Sequence, residues 1–391
     1  MKRGIVFFLL FSFLAFAGNS EWKIRAREFE TKVRKVREFM LSRGLTGILL
    51  STQRNFAWLT AGGTNTVVIA SETGTVSLLV TRKKVYLLAP NDEVQRFMDE
   101  ELKGFNVEPV VFKWYQDIDK GEKLLLSRKL GGPGLASDLR LPDTIYIENQ
   151  FKKLRYVLTS EEINRYREVS RLAAEAAEVV ARKVQPGMTE EEIRALTAFE
   201  LYKRGLVPTV LLIGVDEGIL KYRHVIPKGR RLKKYAQINI CAKKYGLVVA
   251  VTRLVHFSPL PESIKKRQEV AEKVYAAFMY GLRPGASVAR VFKEAISVYG
   301  KYGHPDEWEK HHQGGAIGYN EREYIATLKS KEVVHLNQAF AFNPTLEGAK
   351  VEDTVLVTRN GVEVLTYTGK WPYKEVEYKG KKFKVPEILI R

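Results

Sequence analysis

A weakly repeated block constrains the fold of this chain more than any other feature of its sequence. Residues 185–189 (QPGMT) separate a long amphipathic helical pattern from a shorter one, and residues 283–287 (RPGAS) do the same 98 residues later. Each block leads into a β-rich segment, at residues 237–257 and 339–366. A helix, a Pro-Gly turn, a capped helix and strands, occurring twice, predict a duplicated α+β unit with a pseudo-twofold cleft between its two sheets. Pro-Gly turns before Thr or Ser caps are common, so chance similarity is the alternative.

The chain before this duplicated region has another organisation. A helical pattern at residues 21–43 is followed by β-rich runs at 46–51, 66–70, 76–80 and 84–89, a helical pattern at 92–102 and a strand at 107–114. The alternation predicts an α/β domain. This region contains no histidine, which argues against a metal or acid–base centre there. We place the first domain at residues 18–150 and the second at 151–391.

The first 17 residues form a separate segment. Lys2 and Arg3 precede an apolar run from Ile5 to Phe16, and Ala15 and Ala17 frame a small-x-small motif. This pattern is typical of a secretory signal peptide, so we expect cleavage after Ala17 and export to the periplasm or the cell exterior. The alternative is an uncleaved membrane anchor, but the apolar run is short for a hydrocarbon layer of about 30 Å. We therefore expect no stable membrane span after cleavage.

Charge and cysteine content exclude several classes of protein. The net charge is +19, yet the basic residues alternate with acidic ones and no nucleic-acid motif contains them, so we expect no nucleic-acid partner. The single cysteine, Cys241, excludes an intramolecular disulfide and a multi-cysteine metal centre. Any metal ion would need His, Asp or Glu ligands.

Histidines and interrupted strands mark the candidate site. All six histidines are in the second domain. His224 precedes a strand and is either a general acid–base group or a surface or structural residue. His311 and His312 precede a glycine-rich segment, which indicates either backbone packed closely against a ligand or another strand, or a turn with exposed histidines. Arg253 interrupts an apolar strand, which predicts that its side chain points at a cleft or a partner.

Two later segments add polar candidates. Tyr319, Arg322 and Glu323 lie in a short segment that is either a substrate clamp or a solvated turn. Glu352 and Asp353 start a strand before an Asn-Gly hairpin turn, where they either line a site or face solvent.

The order of these residues resembles the pita-bread superfamily, which includes Xaa-Pro aminopeptidases, prolidases, methionine aminopeptidases and creatinase. The resemblance covers about residues 22–366, and the segments that carry it are His224, Asn239, 250–253 (AVTR), 311–318 (HHQGGAIG), 343–344 (NP) and 352–354 (EDT). It implies an α+β fold, with a creatinase-type α/β N-terminal domain followed by a duplicated, pseudo-twofold pita-bread domain. It also implies a homodimer.

The metal site of this superfamily is poorly matched. Its metallopeptidases bind two divalent ions through two Asp, one His and two Glu. The resemblance places these ligands, in order, at Asn239, Ala250, Gly315, Asn343 and Glu352, and only the last is kept. The substrate-side histidine of the family falls on Arg322. Two divalent ions need anionic or imidazole donors, so we expect no metal and no other cofactor.

Three functions are compatible with this pattern. The first is an exported pseudoenzyme that binds a peptide or small molecule without metal, as histone-chaperone subunits with a peptidase-like domain bind without catalysing. The second is a metal-independent C–N hydrolase that resembles creatinase, with His224 as general acid–base, Glu352 or Glu323 orienting it, and Arg322 or Arg253 holding a substrate carboxylate. The third is a residual metallo-aminopeptidase or dipeptidase of the Xaa-Pro type. His311, His312 and Tyr319 complete the predicted substrate-binding residues.

Overall fold

The computed structural model describes the backbone of residues 4–391 and the side chains of residues 21–391. The predicted signal peptide, residues 1–17, lies outside the residues whose side chains are described. Within the described part of the chain, no helix combines the length and the apolar character needed to cross a bilayer. The chain divides into two compact units, Met1–Arg155 and Tyr156–Arg391.

The N-terminal unit is a mixed sheet with helices. Its helices are α1 (Gly4–Leu41), α2 (Gln53–Leu59), α3 (Val94–Arg96, continued by a π-helical turn at Phe97–Glu101), α4 (Trp114–Lys120), α5 (Glu122–Gly131) and α6 (Glu148–Phe151). Its strands are β1 (Gly47–Thr52), β2 (Thr73–Thr81), β3 (Val85–Pro90), β4 (Glu108–Phe112), β5 (Leu135–Ser137) and β6 (Ile145–Tyr146). They form one sheet in the order β4-β3-β2-β1-β5-β6, which has both parallel and antiparallel pairs. The predicted α/β character is confirmed.

One strand predicted in this unit is wrong. Residues 66–70 form turns, and the side chains of Val67, Val68 and Ile69 are exposed. Their apolar, β-branched character suggested a strand. A strand also needs a neighbouring ladder, and β2 begins only at Thr73 and pairs with β1 and β3.

The C-terminal unit contains the candidate site. Its helices are α7 (Ser160–Lys183), α8 (Glu190–Tyr202), α9 (Glu217–Lys221), α10 (Glu262–Gly281) and α11 (Val288–Lys301). Its strands are β7 (Val207–Val215), β8 (Tyr235–Lys244), β9 (Leu247–His256), β10 (Gly314–Ile317), β11 (Tyr324–Ile325), β12 (Ala339–Phe342), β13 (Thr345–Leu346), β14 (Ala349–Lys350), β15 (Asp353–Thr358), β16 (Gly361–Val364), β17 (Tyr373–Tyr378), β18 (Lys381–Pro386) and β19 (Leu389–Ile390).

The repeated Pro-Gly block has the same backbone contacts in both halves. The amide of Gly187 donates to the carbonyl of Leu232 at 2.8 Å, and that of Gly285 donates to the carbonyl of Val334 at 2.8 Å. Both glycines have positive φ, 94° and 85°, which favours glycine at these turns. Thr189 and Ser287 then cap α8 and α11 through their hydroxyls. The duplication is therefore structural and chance similarity is excluded.

The two halves supply two sheets that meet at the candidate site. One sheet has the order β19-β9-β8-β7 and the other β11-β10-β12-β15-β16. The amide of Thr252 in β9 donates to the carbonyl of Glu352 at 3.1 Å, and the amide of Val248 donates to the carbonyl of Gly318 at 2.7 Å. Side chains from β9 and from the residues before β15 consequently face the same space.

Candidate functional site

A buried carboxylate, Glu352, is the centre of the site and is 2% exposed. Its Oε2 accepts hydrogen bonds from Asn239 Nδ2 at 2.6 Å and from Thr252 Oγ1 at 2.8 Å. Its Oε1 accepts from Arg322 Nη2 at 3.1 Å, and Lys350 Nζ lies 3.7 Å from Oε2. We call these five residues the Glu352 cluster. Donors engage both oxygens of the carboxylate, and two of the surrounding groups are cations.

The backbone explains why these side chains converge. Asn239 and Thr252 are directly opposite each other in the β8–β9 ladder, so their side chains lie on one face of that sheet. Lys350 and Glu352 are two residues apart in extended chain, which places their side chains on the same side. Arg322 lies in the connection between β10 and β11 and reaches the carboxylate from the second sheet.

The neighbouring cations keep Glu352 ionised. Burial alone raises the pKa of this carboxyl, but the charges of Lys350 and Arg322 and the hydrogen bond from Thr252 outweigh burial, so the pKa lies below its ordinary value. At neutral pH the cluster therefore holds a carboxylate whose charge the chain itself balances.

Three imidazoles form a second group, which we call the histidine cluster. His224 Nε2 lies 3.0 Å from His311 Nε2. The rings of His311 and His312 are stacked, with centroids 4.4 Å apart and planes 25° from parallel. His224 is exposed, His312 is half-buried and His311 is buried. Exposure therefore decreases from His224 towards the interior.

The histidines are neutral at physiological pH. Burial lowers the pKa of His311 to about 2, and the charge of Lys350 acts in the same direction. Burial and the charge of Arg322 lower the pKa of His312 to about 4. Burial and Lys350 also lower the pKa of His224. Neutral imidazoles can accept a proton or ligate a metal ion.

These histidines are the group of described residues that comes nearest to a metal site. Their ligand atoms lie within 4.8 Å of one another. Two features oppose ligation by all three. The rings of His311 and His312 are stacked, so their lone pairs lie in nearly parallel planes, whereas a shared ion about 2 Å from each nitrogen must lie in both planes. In addition, His312 Nδ1 accepts from the Gly314 amide at 3.2 Å, which assigns the ring proton to Nε2.

The structure corrects the prediction for Arg253. Its guanidinium is fully buried in an ion pair with Asp353 at 2.9 Å, and it also donates to the Tyr373 hydroxyl and the Thr366 carbonyl. Burial opposes a charged guanidinium, but Asp353 and further anionic groups raise the pKa of Arg253 above its ordinary value. Arg253 therefore stabilises the interior and offers no contact to a substrate carboxylate.

Tyr319 and Glu323 are also placed differently from their predicted roles. The Tyr319 hydroxyl donates to Glu162 Oε1 at 2.7 Å and its side chain is buried, so the predicted substrate contact is corrected. Glu323 Oε1 accepts from the Tyr319 amide at 3.1 Å within the same turn. This contact assigns Glu323 to the turn, and His224 is oriented by His311 instead.

The other positions that the resemblance assigns to metal ligands have these surroundings. The backbone of Ala250 exchanges hydrogen bonds with the Thr354 hydroxyl. A Cβ at Gly315 would lie 2.2 Å from the Tyr324 carbonyl oxygen, so the β11 backbone fills the space that a side chain needs. Asn343 follows β12, and its buried Oδ1 has no hydrogen-bond partner among the described residues.

Lys350 is the important residue that sequence reasoning missed. Its Nζ donates to Asn239 Oδ1 at 3.2 Å as well as facing Glu352, and its side chain is 3% exposed. The available signal was its spacing, because a lysine two residues from a buried glutamate in extended chain lies beside it.

Comparisons with known proteins identify the family. Residues 164–359, half of the chain, match Peptidase_M24, metallopeptidase family M24. The chain belongs to metallopeptidase family M24. It is 20% identical over 357 residues to the Xaa-Pro dipeptidase of Pyrococcus horikoshii, covering 86% of this chain and 97% of that protein. It is 25% identical over 236 residues to the uncharacterized peptidase SH1217 of Staphylococcus haemolyticus, which is 57% of this chain and 66% of that protein's length.

Solved structures of M24-type enzymes have the same fold. The Xaa-Pro dipeptidase of Bacillus anthracis superposes with a TM-score of 0.72 at 19% identity and covers 93% of this chain and all of its own. The likeness confirms the predicted architecture, a creatinase-like N-terminal domain and a pita-bread C-terminal domain.

Proposed function

We propose that this M24 protein is a pseudoenzyme that binds a peptide or a small molecule in the cleft around the Glu352 cluster without a metal ion. One observation carries the proposal: both oxygens of Glu352 are engaged by groups of the chain, including Arg322 at 3.1 Å and Lys350 at 3.7 Å. A metal ion at this carboxylate would have to displace two cations or lie beside them.

The donor set also does not fit the two divalent ions that the family name implies. Such ions need anionic oxygens or imidazoles to replace lost hydration. Ala250 and Gly315 offer no side-chain donor. Asn239 directs its NH2 group at Glu352 and its carbonyl oxygen at Lys350, so both ends of its amide are already used. We therefore derive no step through a metal ion.

Metal content and ligand response test the proposal together. Purified full-length protein, incubated with Mn²⁺, Co²⁺ or Zn²⁺ and desalted, is expected to hold no stoichiometric metal by mass spectrometry. Thermal unfolding across amino-acid and dipeptide libraries is expected to show stabilising ligands, and chromatography of the same mixtures is expected to show no products. About two metal equivalents per chain, or metal-dependent hydrolysis of Xaa-Pro peptides, would contradict it.

A second candidate function, metal-independent hydrolysis, has one observation in its favour. His224 is exposed, and its Nε2 lies 3.0 Å from the buried, neutral His311. Such a histidine can take a proton from an attacking water while His311 fixes its orientation. If a substrate is found, His224→Gln is expected to abolish turnover, whereas His335→Gln, in the turn before β12, is expected to retain it. Equal turnover in both variants would dismiss this role of His224.

We also propose that the protein is exported, because residues 1–17 have the pattern of a secretory signal peptide. Expression of the full chain in a Gram-negative host and N-terminal sequencing of the periplasmic protein test this. We expect the mature chain to begin at Gly18. A chain that keeps Met1 and remains in the cytosolic fraction would contradict export.

A further inference from the structure

Two buried cations share one carboxylate in the Glu352 cluster. Among the residues that the structure describes, Glu352 is the only carboxylate paired with Lys350 or with Arg322. The nearby Asp353 is bonded to Arg253 and to the Tyr373 hydroxyl instead. The Asp353 carboxylate is thus engaged outside the Glu352 cluster. The cluster therefore has one positive charge more than it has negative charges.

The same two cations have hydrogen-bond donors without acceptors. Lys350 Nζ makes one hydrogen bond, to Asn239 Oδ1 at 3.2 Å, and its 3.7 Å separation from Glu352 exceeds a hydrogen bond. Arg322 Nε is buried and, within the described part of the chain, has no partner. An ammonium has three donors and a guanidinium five. Unsatisfied buried donors on cations call for a bound water or an ion.

Exposure increases from the Glu352 cluster to the histidine cluster. Lys350 and Glu352 are buried, Arg322 and His312 are half-buried, and His224 is exposed. The ring proton of His312 is on Nε2, because Nδ1 accepts from the Gly314 amide. The groups around Glu352 are neutral imidazoles and two cations, and the two cations attract an anion.

We infer that the cleft binds an oxyanion, a carboxylate or a phosphate group, through Lys350 and Arg322. This inference rests on the proposed function and specifies its ligand, since the anion pairs with the two cations that oppose a metal ion at Glu352. A monoanion cancels the surplus charge and accepts the unused hydrogen bonds. Charge-assisted hydrogen bonds from a guanidinium and an ammonium are the usual means of holding such groups.

Anion-dependent stabilisation tests the inference on the full chain. Thermal unfolding is followed in sodium phosphate, sulfate, acetate or succinate against sodium chloride at equal ionic strength, and affinities are measured by calorimetry. We expect at least one oxyanion to raise the melting temperature progressively with its concentration, and chloride to have no such effect. A response to phosphate and sulfate identifies a phosphoryl-type ligand, and a response to acetate and succinate identifies a carboxylate.

Two substitutions with opposite expected effects on anion affinity distinguish a change in binding from misfolding. Lys350→Met keeps the length of the side chain and removes its charge, so it is expected to weaken anion binding by about tenfold or more. Glu352→Gln removes the competing negative charge, so it is expected to tighten binding. A partly unfolded protein would lose affinity in both variants. Lys382→Met, on the exposed hairpin strand β18, is the matched control and is expected to bind as the unsubstituted chain does.

Two results would overturn the inference: no oxyanion stabilises the unsubstituted chain beyond chloride, or Lys350→Met and Lys382→Met bind equally well. The metal titration described above separates this failure from that of the proposed function. A chain that binds neither metal nor oxyanion loses only the inference, whereas a chain that binds two metal ions loses both.

Discussion

At the scale of single residues, Glu352 shows how groups of the chain itself keep a buried carboxylate ionised. A buried carboxylate without a counter-charge is costly. In this chain Lys350 and Arg322 supply that charge, and Asn239 and Thr252 supply neutral hydrogen bonds. A glutamate at this position is therefore no evidence for a metal site.

The first prediction at this scale concerns Arg253. Arg253→Met is expected to lower the free energy of unfolding by about 3–5 kcal/mol, because it leaves Asp353 buried without its cation. Urea denaturation measures the loss. The surface variant Lys382→Met should stay within about 0.5 kcal/mol of the unsubstituted protein. Unchanged stability in Arg253→Met, combined with lost ligand binding, would restore the substrate role predicted from sequence.

The second prediction concerns the pH dependence of stability. The pKa of His311 is about 2 in the folded chain and near 6.5 when unfolded. The unfolded state therefore binds more protons as the pH falls below about 6.5, and stability falls with it. Between pH 7 and pH 5 this one histidine contributes about 1 kcal/mol per pH unit on average.

Urea denaturation between about pH 7 and pH 5 checks this dependence, above the range where carboxylates titrate. The variant His311→Gln is expected to lose stability less steeply on acidification, by that amount per pH unit. His335→Gln should keep the original slope. Identical slopes in His311→Gln and the unsubstituted chain would show that His311 is protonated in the folded state.

At the scale of elements, strand β11 decides what position 315 can hold. The ladder pairs Gly315 with Ile325, and the Tyr324 carbonyl oxygen lies where a Cβ would be, at 2.2 Å. A histidine at position 315 therefore requires β11 to move. The course of β11 therefore determines which side chains position 315 can hold.

A pair of glycine substitutions tests this. Gly315→Ala is expected to destabilise the protein by about 3 kcal/mol, because backbone atoms must shift. Gly300→Ala in α11 is expected to stabilise it by about 0.5–1 kcal/mol, since the new methyl group meets only ordinary contacts at 3.8 Å. Chemical denaturation of both variants measures the two changes in the free energy of unfolding, which are expected to have opposite signs. A Gly315→Ala protein as stable as the unsubstituted chain would show that the β11 backbone can shift at little cost in free energy.

Element patterns were predictable from sequence where the decisive contacts are local. The two Pro-Gly blocks and their Thr189 and Ser287 caps depend on neighbours in the chain, and their prediction is confirmed. The roles of individual side chains were harder to predict from the sequence. Arg253 was predicted to face the cleft because it interrupts an apolar strand, but its partner Asp353 is 100 residues away. The place of Lys350 also depends on Asn239, which is 111 residues away.

At the scale of the whole molecule, the boundary between the two compact units falls between Arg155 and Tyr156. Arg155 binds Glu148 at 2.9 Å within the N-terminal unit. Tyr156 packs against Tyr324 with ring centroids 5.2 Å apart, and the Leu158 amide donates to the Asn337 carbonyl at 3.0 Å. The C-terminal unit therefore begins with buried contacts of its own.

The last prediction follows from the position of this boundary between the two units. Residues 156–391 produced alone are expected to fold and to unfold cooperatively, because Tyr156 is buried in the core of this unit and Thr159 caps α7. A chain of residues 160–391 loses both and is expected to be less stable by about 3 kcal/mol, of which the aromatic burial contributes about two thirds. Circular dichroism and urea denaturation of the two chains measure the difference. Equal stability would show that residues 156–159 only connect the units, and failure of the longer chain to fold would show that the C-terminal unit needs the N-terminal one.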